Sequence, residues 1–220
     1  MAKTPTHGPV LVIGLGRFGS ALALTLADLE VEVMAIDLDA RLVQRYADRL
    51  THTVQADATD EDALRQLGVP DFHRAVVGIG EHIEASILTV SLLSELGVNE
   101  IWAHAVSKQH ARILRRIGAQ HVIAPEADMG VRVAHLVGGR MLDYIEFGEF
   151  AMSRTEAPRE AWGKSLSDAK FRAKYGVTVV AINPQRDSYT FALPETVVNK
   201  GDILVVAGTI EALDRFGQLD

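Results

Sequence analysis

Three glycines near the start of the chain have the spacing of a phosphate-binding loop. Gly14, Gly16 and Gly19 form a G-x-G-x-x-G motif between an apolar run and a helical pattern. Glycine permits a tight turn and lets phosphate approach the backbone, and the N–H groups at the start of a helix attract the negative charge. The motif alone is a weak signal, but its position between a strand and a helix favours a nucleotide site over a turn that binds nothing.

An acidic residue stands where such a fold contacts the sugar of a nucleotide. Asp37 closes the next predicted strand and is followed by Leu38, and we expect both residues to line the site. A carboxylate at this position accepts hydrogen bonds from ribose hydroxyls. The same charge repels a 2′-phosphate, so NADP is expected to bind worst.

Two further segments end strands at the same predicted edge. After the third strand, Asp57 can accept a hydrogen bond from the exocyclic amine of adenine; the alternative is that it caps a helix, which Thr59 or Asp60 could also do. After the fourth strand, small residues leave room for phosphates, and ordinary turn chemistry is the alternative. The candidate residues are Asp57, Ala58 and Thr59, and Gly78, Ile79 and Gly80.

Groups arranged for catalysis are not evident in the sequence. The chain has no cysteine, which excludes disulfides, thiol catalysis and zinc sites built on thiolates. Its eight histidines are scattered, and His104 lies in a strand pattern, where a core position is more common than a catalytic one. Since no catalytic triad or metal-ligand spacing is present either, we expect a protein that is not an enzyme.

Composition and charge limit the classes of molecule that the chain can bind. Hydrophobic residues make up 48% and charged residues 23%, as in folded globular proteins. The formal net charge of −7 argues against nucleic acid, because binding to its phosphates needs a broad basic surface. The first ten residues lack the apolar segment of a signal peptide, and no apolar run reaches the roughly 20 residues that span a bilayer. We therefore expect a cytoplasmic protein without direct membrane insertion, which acts at a membrane only through a partner.

The elements that must position the candidate residues alternate between apolar runs and helical patterns. This alternation predicts parallel strands with right-handed crossovers, and runs with few polar side chains predict a sheet covered on both faces. The predicted class is therefore α/β, with a doubly wound Rossmann-like parallel sheet as the first lobe. Strands are expected over residues 10–14, 31–37, 51–57, 74–80, 101–106 and 121–125, and helices over 17–30, 42–50, 83–96 and 109–117, with a short one ending at 67.

The pattern changes after residue 125. A long crossover helix is predicted over residues 126–144, followed by a polar connecting segment over 148–158. The rest predicts a small α+β lobe of about 70 residues, a size at which isolated domains become marginal and dimerisation would help. The predicted domain boundaries are 8–126, 127–147 and 148–220. The last elements are expected over 165–176, 177–182, 188–193, 202–208 and 212–216, with a hairpin turn over 183–187.

Several segments of the chain stand in the order found in one protein family. The chain resembles the TrkA/KtrA proteins, whose unit is the RCK domain that regulates potassium conductance, over about residues 8–217. The resemblance implies a non-enzymatic regulator whose homodimers form octameric rings beneath a potassium-translocating membrane subunit. It also implies that ATP or ADP bound in the first lobe changes the shape of the ring. The segments are VIGLGRFG (12–19), ADAT (56–59), VGIG (77–80), EASILT (84–89), IGAQHVIAPEADMG (117–130) and RAKYG (172–176).

The resemblance also implies roles for particular charged side chains. Arg17, which precedes Phe18 in the glycine motif, matches an arginine placed to reach the γ-phosphate and so to distinguish ATP from ADP; the alternative is a solvent-exposed arginine that only steers anions. Glu126 matches a glutamate near the phosphates that could bind Mg²⁺, Ca²⁺ or Na⁺; the simpler alternative is an acid that complements a helix dipole. Arg172 matches a position that would face cyclic di-AMP, although an arginine on a helix is usually at the solvated surface.

Two other interpretations fit the glycine motif. One is an NAD(H)-sensing regulator of the same type that acts on another transporter or antiporter. The other is a small NAD(P)-dependent oxidoreductase, which the scattered histidines disfavour. Mass identification of a co-purified nucleotide tests the first alternative, and turnover of NADH with small carbonyl compounds tests the second.

Overall fold

The structure, a computed structural model, describes residues 8–138, 141–184 and 187–219. It divides the chain into two units, one that ends at Glu126 and one that begins at Ala127.

A six-stranded parallel sheet forms the centre of the first unit, as the apolar runs predicted. The strand order is β3-β2-β1-β4-β5-β6, with every neighbouring pair parallel. The order reverses between β1 and β4, and a crevice forms beyond the carboxyl ends of strands at such a reversal. The strands are β1 (Val10–Ile13), β2 (Val33–Asp37), β3 (His52–Gln55), β4 (Arg74–Val77), β5 (Glu100–His104) and β6 (His121–Ile123).

Helices cover both faces of this sheet, which explains why its strands are apolar throughout. All four residues of β1 are buried, with Leu11 and Ile13 in one core cluster and Val10 and Val12 in another. This division follows from the alternation of side chains along a strand. The helices are α1 (Arg17–Asp28), α2 (Ala40–Tyr46), α3 (Glu61–Gln66), α4 (Ile83–Glu95) and α5 (Lys108–Arg116), with a 3₁₀ turn over Val69–Asp71.

An antiparallel sheet forms most of the second unit, which confirms the predicted small α+β lobe. Its order is β11-β10-β13-β8-β7, and a separate pair joins β9 to β12. The strands are β7 (Met141–Phe147), β8 (Phe150–Glu156), β9 (Lys164–Ser165), β10 (Thr178–Asn183), β11 (Thr190–Phe191), β12 (Val197–Val198) and β13 (Ile203–Thr209). The helices are α6 (Pro125–Gly138), which starts at the end of the first unit, α7 (Leu166–Ala169), α8 (Phe171–Tyr175) and α9 (Ile210–Phe216), with a 3₁₀ turn over Arg159–Ala161.

Aromatic contacts and one ion pair hold these elements together. The ring of Phe216 in α9 meets Phe171 edge-on at 5.1 Å between centroids and Tyr175 at 5.7 Å. In α6, Arg132 donates to the carboxylate of Asp143 in β7. This hydrogen bond lowers the pKa of Asp143, so the pair stays charged at neutral pH.

The predicted helix over residues 126–144 is present as far as residue 138 and was wrong over residues 141–144. The helix is described to Gly138, β7 begins at Met141, and residues 139–140 lie outside the described ranges. Glycine weakens a helix interior, and the strand that follows buries Met141 and Tyr144 while it leaves Ile145 exposed.

The predicted polar connection over residues 148–158 was also wrong, because it contains β8. Two of its three buried side chains, Ser153 and Thr155, are polar. The Ser153 hydroxyl donates to the carbonyl oxygen of Asp143 at 3.0 Å, so a polar side chain is satisfied inside the unit.

The helix predicted over residues 165–176 is divided in two. Lys170 has a φ of 54°, a left-handed conformation that separates α7 from α8. Gly176 ends α8 with a φ of 75°, the left-handed conformation in which glycine often terminates a helix. The hairpin turn predicted over residues 183–187 joins β10 to β11, but its residues 185–186 lie outside the described part of the chain.

Among the residues that the structure describes, no helix is both long and apolar enough to cross a lipid bilayer.

Candidate functional site

A crevice of about 500 Å³ opens at the carboxyl ends of β1, β2 and β4. This volume lies within the range of small-molecule sites, roughly 300–1,000 Å³. The crevice brings together most of the candidate residues from four separate segments of the chain. Those that line it are Gly14, Gly16, Asp37, Leu38, Asp57, Ala58, Thr59, Gly78 and Ile79.

The glycine loop that forms one wall is held by backbone contacts. The Gly14 N–H donates to the carbonyl oxygen of Ile36 at 2.8 Å, and the Gly78 N–H donates to that of Ile13 at 2.7 Å. Gly14 has a φ of 93°, which disfavours other residues. A Cβ on Gly19 would lie 1.8 Å from the Gly14 carbonyl oxygen, so only glycine allows α1 to approach the loop this closely.

The start of α1 is open to a ligand. Gly16 precedes the helix, lines the crevice and offers no side chain to cap it. A Cβ on Gly16 would meet nothing within 4 Å. The first N–H groups of a helix have no intrahelical partner and carry partial positive charge, so they suit the phosphate of a ligand in the crevice.

Asp37 joins the end of β2 to the glycine loop. Its Oδ2 accepts from the Leu15 N–H at 2.6 Å, and its Oδ1 accepts from the Asp39 N–H at 2.8 Å. Each carboxylate oxygen has a second lone pair. Asp37 can therefore hold the loop and still accept hydrogen bonds from a ribose.

Asp57 does not cap the following helix. The cap of α3 is Asp60, whose carboxylate accepts from the Asp62 and Ala63 N–H groups at 2.9 and 3.3 Å. Asp57 instead uses Oδ1 to accept from the Thr59 hydroxyl at 2.7 Å and the Thr59 N–H at 2.8 Å. These two bonds lower the pKa of Asp57, which keeps an ionised acceptor at the crevice.

The other residues of the glycine motif and of the β4 end lie outside the crevice lining. Arg17 is exposed in the first turn of α1, and Gly19 packs against the loop. The ring of Phe18 lies 5.4 Å from that of His104, and a Cβ on Gly80 would lie 3.0 Å from the same imidazole. Phe18 and Gly80 therefore both pack against His104 rather than line the crevice.

Nine residues that line the crevice were not predicted from the sequence. Asp39 and Glu81 follow directly on predicted site residues, so their nearness in sequence was an available signal. Leu42, Ala85 and Thr89 come from α2 and α4, and only the packing of those helices brings them to the crevice. The missed residues are Ile13, Ile36, Asp39, Leu42, Ala56, Glu81, His82, Ala85 and Thr89.

The electrostatics of the crevice are unusual for a phosphate site. Carboxylates of Asp37, Asp39, Asp57 and Glu81 line it, and no lysine or arginine of the described chain is part of the lining. Positive charge for a phosphate must therefore come from the N–H groups of α1 and from the rim, where Arg17 is the first residue of the helix.

Glu126 and Arg172 lie away from this crevice. Glu126 is in the first turn of α6, with its side chain 65% exposed, and its Oε2 accepts from His104 Nε2 at 2.8 Å. That bond, and to a smaller extent the charge of Arg17, lowers the pKa of Glu126. The described residues contain no cluster of three or more potential metal ligands. Arg172 lines a separate cavity of about 380 Å³ in the second unit.

Two glycine substitutions separate the packing role of the motif from its binding role. Gly19→Ala should lower the free energy of unfolding by about 1–3 kcal/mol, because the new methyl overlaps the Gly14 carbonyl oxygen. Gly16→Ala should change it by less than about 1 kcal/mol, because its methyl points into open space. Urea denaturation measures both values, and equal destabilisation by the two changes would contradict this geometry.

Comparison with known proteins places the whole chain in one family. The TrkA-N domain matches residues 10–125, and the TrkA-C domain matches residues 156–219. Ktr system potassium uptake protein C of Bacillus subtilis is 42% identical over 207 residues, which cover 93% of this chain and 94% of that protein. Ktr system potassium uptake protein A of the same organism is 40% identical over 207 residues, with 93% of each chain covered.

A solved structure shares the fold at lower identity. The GsuK channel bound to NAD matches 96% of this chain with a TM-score of 0.63 and 20% identity. This chain spans 39% of that channel chain.

These matches confirm the resemblance on which the sequence interpretation rested. Family membership also confirms the expectation that the chain is not an enzyme, and it removes the oxidoreductase alternative. With both of its domains matched and 42% identity over nearly its full length, the chain belongs to the TrkA/KtrA family of Ktr system potassium uptake proteins.

Proposed function

We propose that this chain is the cytosolic regulatory subunit of a potassium-uptake system and that it senses ATP and ADP in its crevice. The observation that carries the proposal is the combination of an uncapped α1 with the carboxylate of Asp37 beside it. A nucleotide needs both features, one for its phosphates and one for its ribose. Relatives named as potassium uptake proteins support the choice of transported ion.

The crevice suggests one orientation for the ligand. The phosphates lie at the Gly16 end of α1, and the ribose hydroxyls donate to Asp37. The adenine then lies toward Asp57, whose Oδ2 is not used in the hydrogen bonds to Thr59 and can accept from the exocyclic amine. A 2′-phosphate would face Asp37, so NADP binds worst in this proposal.

Self-association is part of the proposal. No residue of α6 is buried in the described chain, and Met129, Val133 and Val137 recur at every fourth position with Val137 82% exposed. An apolar stripe of this kind favours cover by another chain. We propose a homodimer that assembles into an octameric ring beneath the potassium-translocating membrane subunit. The ring shifts only as far as the affinities of its states for the nucleotide differ.

A cation at Glu126 would serve the same assembly. The exposed carboxylate has a lowered pKa and stays ionised, which suits Mg²⁺, Ca²⁺ or Na⁺ as oxygen-preferring cations. Since this chain offers no cluster of three ligands in its described part, water or a second copy of the chain supplies the rest of the coordination shell.

NAD(H) is the competing ligand, and one observation favours it. The acid-lined crevice repels a triphosphate more than a pyrophosphate, whose lower charge the N–H groups of α1 can balance. The solved channel of this fold is described with NAD bound. ATP therefore requires an additional cationic group, and Arg17 is the candidate.

Substitution of Asp37 tests the ribose contact. Asp37→Ala should weaken binding of ATP, ADP and NAD by about 10- to 150-fold, the effect of roughly 1.5–3 kcal/mol for charge-assisted hydrogen bonds. Calorimetry with 2′,3′-dideoxy-ATP separates the ribose contact of Asp37 from its hydrogen bond to the Leu15 N–H. This analogue has no ribose hydroxyls to donate to Asp37, so its affinity depends on Asp37 only through the loop. An equal loss for ATP and its dideoxy analogue would assign Asp37 to the loop alone, and unchanged affinities would reject the site. Exposed Asp48→Ala is the control and should bind as the wild type does.

Substitution of Arg17 tests discrimination between nucleotides. Arg17→Ala should weaken the binding of ATP by about 10- to 150-fold and change the affinity for ADP by less than about threefold. The reason is that a guanidinium at the rim contacts only the terminal phosphate of ATP. Arg49→Ala, which removes an exposed arginine of the same unit, should affect neither. Equal losses for ATP and ADP in Arg17→Ala would make Arg17 a general attractor of anions.

A second ligand site is proposed in the C-terminal unit, for cyclic di-AMP. Arg172 shares its cavity with the apolar side chains of Leu166, Phe171, Leu193 and Pro194, an arrangement that suits a base stacked beside a phosphate. Titration calorimetry should detect binding to wild type and a loss of at least about tenfold in Arg172→Ala. Lys174→Ala, on the same short helix, is the control. No heat with cyclic di-AMP from protein that still binds ATP would reject this site.

A further inference from the structure

One histidine contacts two segments that adjoin the crevice and also contacts Glu126, which lies away from it. His104 ends β5 and is 4% exposed. Its ring lies 5.4 Å from that of Phe18 in α1, and a Cβ on Gly80, beyond β4, would lie 3.0 Å from its Cε1. Its Nε2 lies 2.8 Å from Glu126 Oε2 in α6.

The bond to Glu126 has a defined direction. An ionised carboxylate only accepts, so the hydrogen must be on Nε2 of His104. The other ring nitrogen, Nδ1, is buried and has no hydrogen-bond partner among the described residues. The orientation of the imidazole therefore depends on packing against Phe18 and Gly80 and on this one polar contact.

We propose that His104 is a positioning residue that couples the nucleotide in the crevice to the cation at Glu126. The inference rests on the proposed function, because it requires both ligands. It adds a route between them that the glycine motif and the glutamate do not supply by themselves.

The contacts that join the crevice to Glu126 through His104 are close. Two residues that line the crevice are close in sequence to residues that pack against His104. Gly80 directly follows Ile79, and Phe18, in the first turn of α1, is two residues after Gly16. A methyl group added at Gly80 would be 3.0 Å from the ring, so the Gly80 backbone lies close to the imidazole and a shift of Gly80 toward the ring would displace it. The Glu126 side chain is mostly exposed, and its carboxylate moves with the Nε2–H that holds it.

The coupling can be measured as the factor by which one ligand changes the affinity for the other. If Ca²⁺ raises the affinity for ATP by some factor, ATP must raise the affinity for Ca²⁺ by the same factor. Coupling between two sites in one protein is typically about 5- to 150-fold. His104 should set this factor while it contributes little to the binding of ATP alone.

The experiment measures ATP affinity of the full chain by calorimetry, with Ca²⁺ and with a chelator. In His104→Phe the ring volume stays and the N–H donor is lost, so the effect of Ca²⁺ on ATP affinity should fall below about twofold, while affinity in chelator stays within about threefold. His104→Gln keeps an N–H donor and should retain most of the coupling. Chelation of Ca²⁺ by free ATP is identical for every variant, so it cancels in the comparison.

A second substitution leaves the histidine in place. Gly80→Ala should reduce the coupling as His104→Phe does, because its methyl displaces the ring from Glu126. His121→Gln, on the neighbouring strand and exposed, is the matched control and should retain the wild-type factor. The thermal unfolding midpoint of each variant confirms that it is folded at the temperature of the titration.

The possible results separate the inference from the proposed function. Wild-type coupling that persists in both His104→Phe and Gly80→Ala would overturn the role of His104, as would a wild type that binds both ligands without coupling. A wild type that binds no ATP would instead reject the nucleotide site. If Ca²⁺ changed the ATP affinity equally in wild type and Glu126→Gln, the cation site would be rejected. The proposed coupling through His104 would then be rejected as well.

Discussion

The close approach of three backbone segments is the constraint on which this molecule depends. The loop after β1, the first turn of α1 and the end of β4 meet with no side chain between them. A Cβ on Gly14 would lie 3.1 Å from the carbonyl carbon of Gly78, and one on Gly78 would lie 3.2 Å from the Cα of Gly19. Because the space is too small for a methyl group, the start of α1 is fixed beside the crevice.

The charges around the crevice fit a sensor. Four carboxylates line the crevice, and one of them, Asp37, accepts from the Leu15 N–H of the glycine loop. The positive potential is confined to the start of α1 and its rim. In such a site, affinity depends on how much charge the ligand carries beyond what the helix balances. In the proposed function, Arg17 at this rim distinguishes nucleotides that differ by one phosphate. Membership of a family of regulators explains why the crevice needs no group that breaks bonds, since a regulator needs only a difference in affinity between its states.

The sequence predicted the first unit well because its signals are local. Apolar runs, the glycine spacing and an acid at the end of β2 each depend on neighbouring residues, and together they locate half of the residues that line the crevice. The pair of His104 and Glu126 could not be predicted so, because these residues are 22 positions apart and meet only when β5 and β6 become neighbours. In the second unit, β8 carries Ser153 and Thr155 on its buried side, which conceals the strand from any reading of hydrophobic alternation. The left-handed Lys170 broke a helix that its composition favoured.

The most direct test of the account is the identity of the nucleotide that the purified protein carries. Protein purified without added nucleotide is denatured by heat, and the supernatant is analysed by mass spectrometry and quantified against the chain. The account predicts an adenine nucleotide without a 2′-phosphate, at up to one per chain, or an empty protein that takes up ATP or ADP when either is added. Protein that carries no adenine nucleotide and binds none of ATP, ADP and NAD in calorimetry would contradict it.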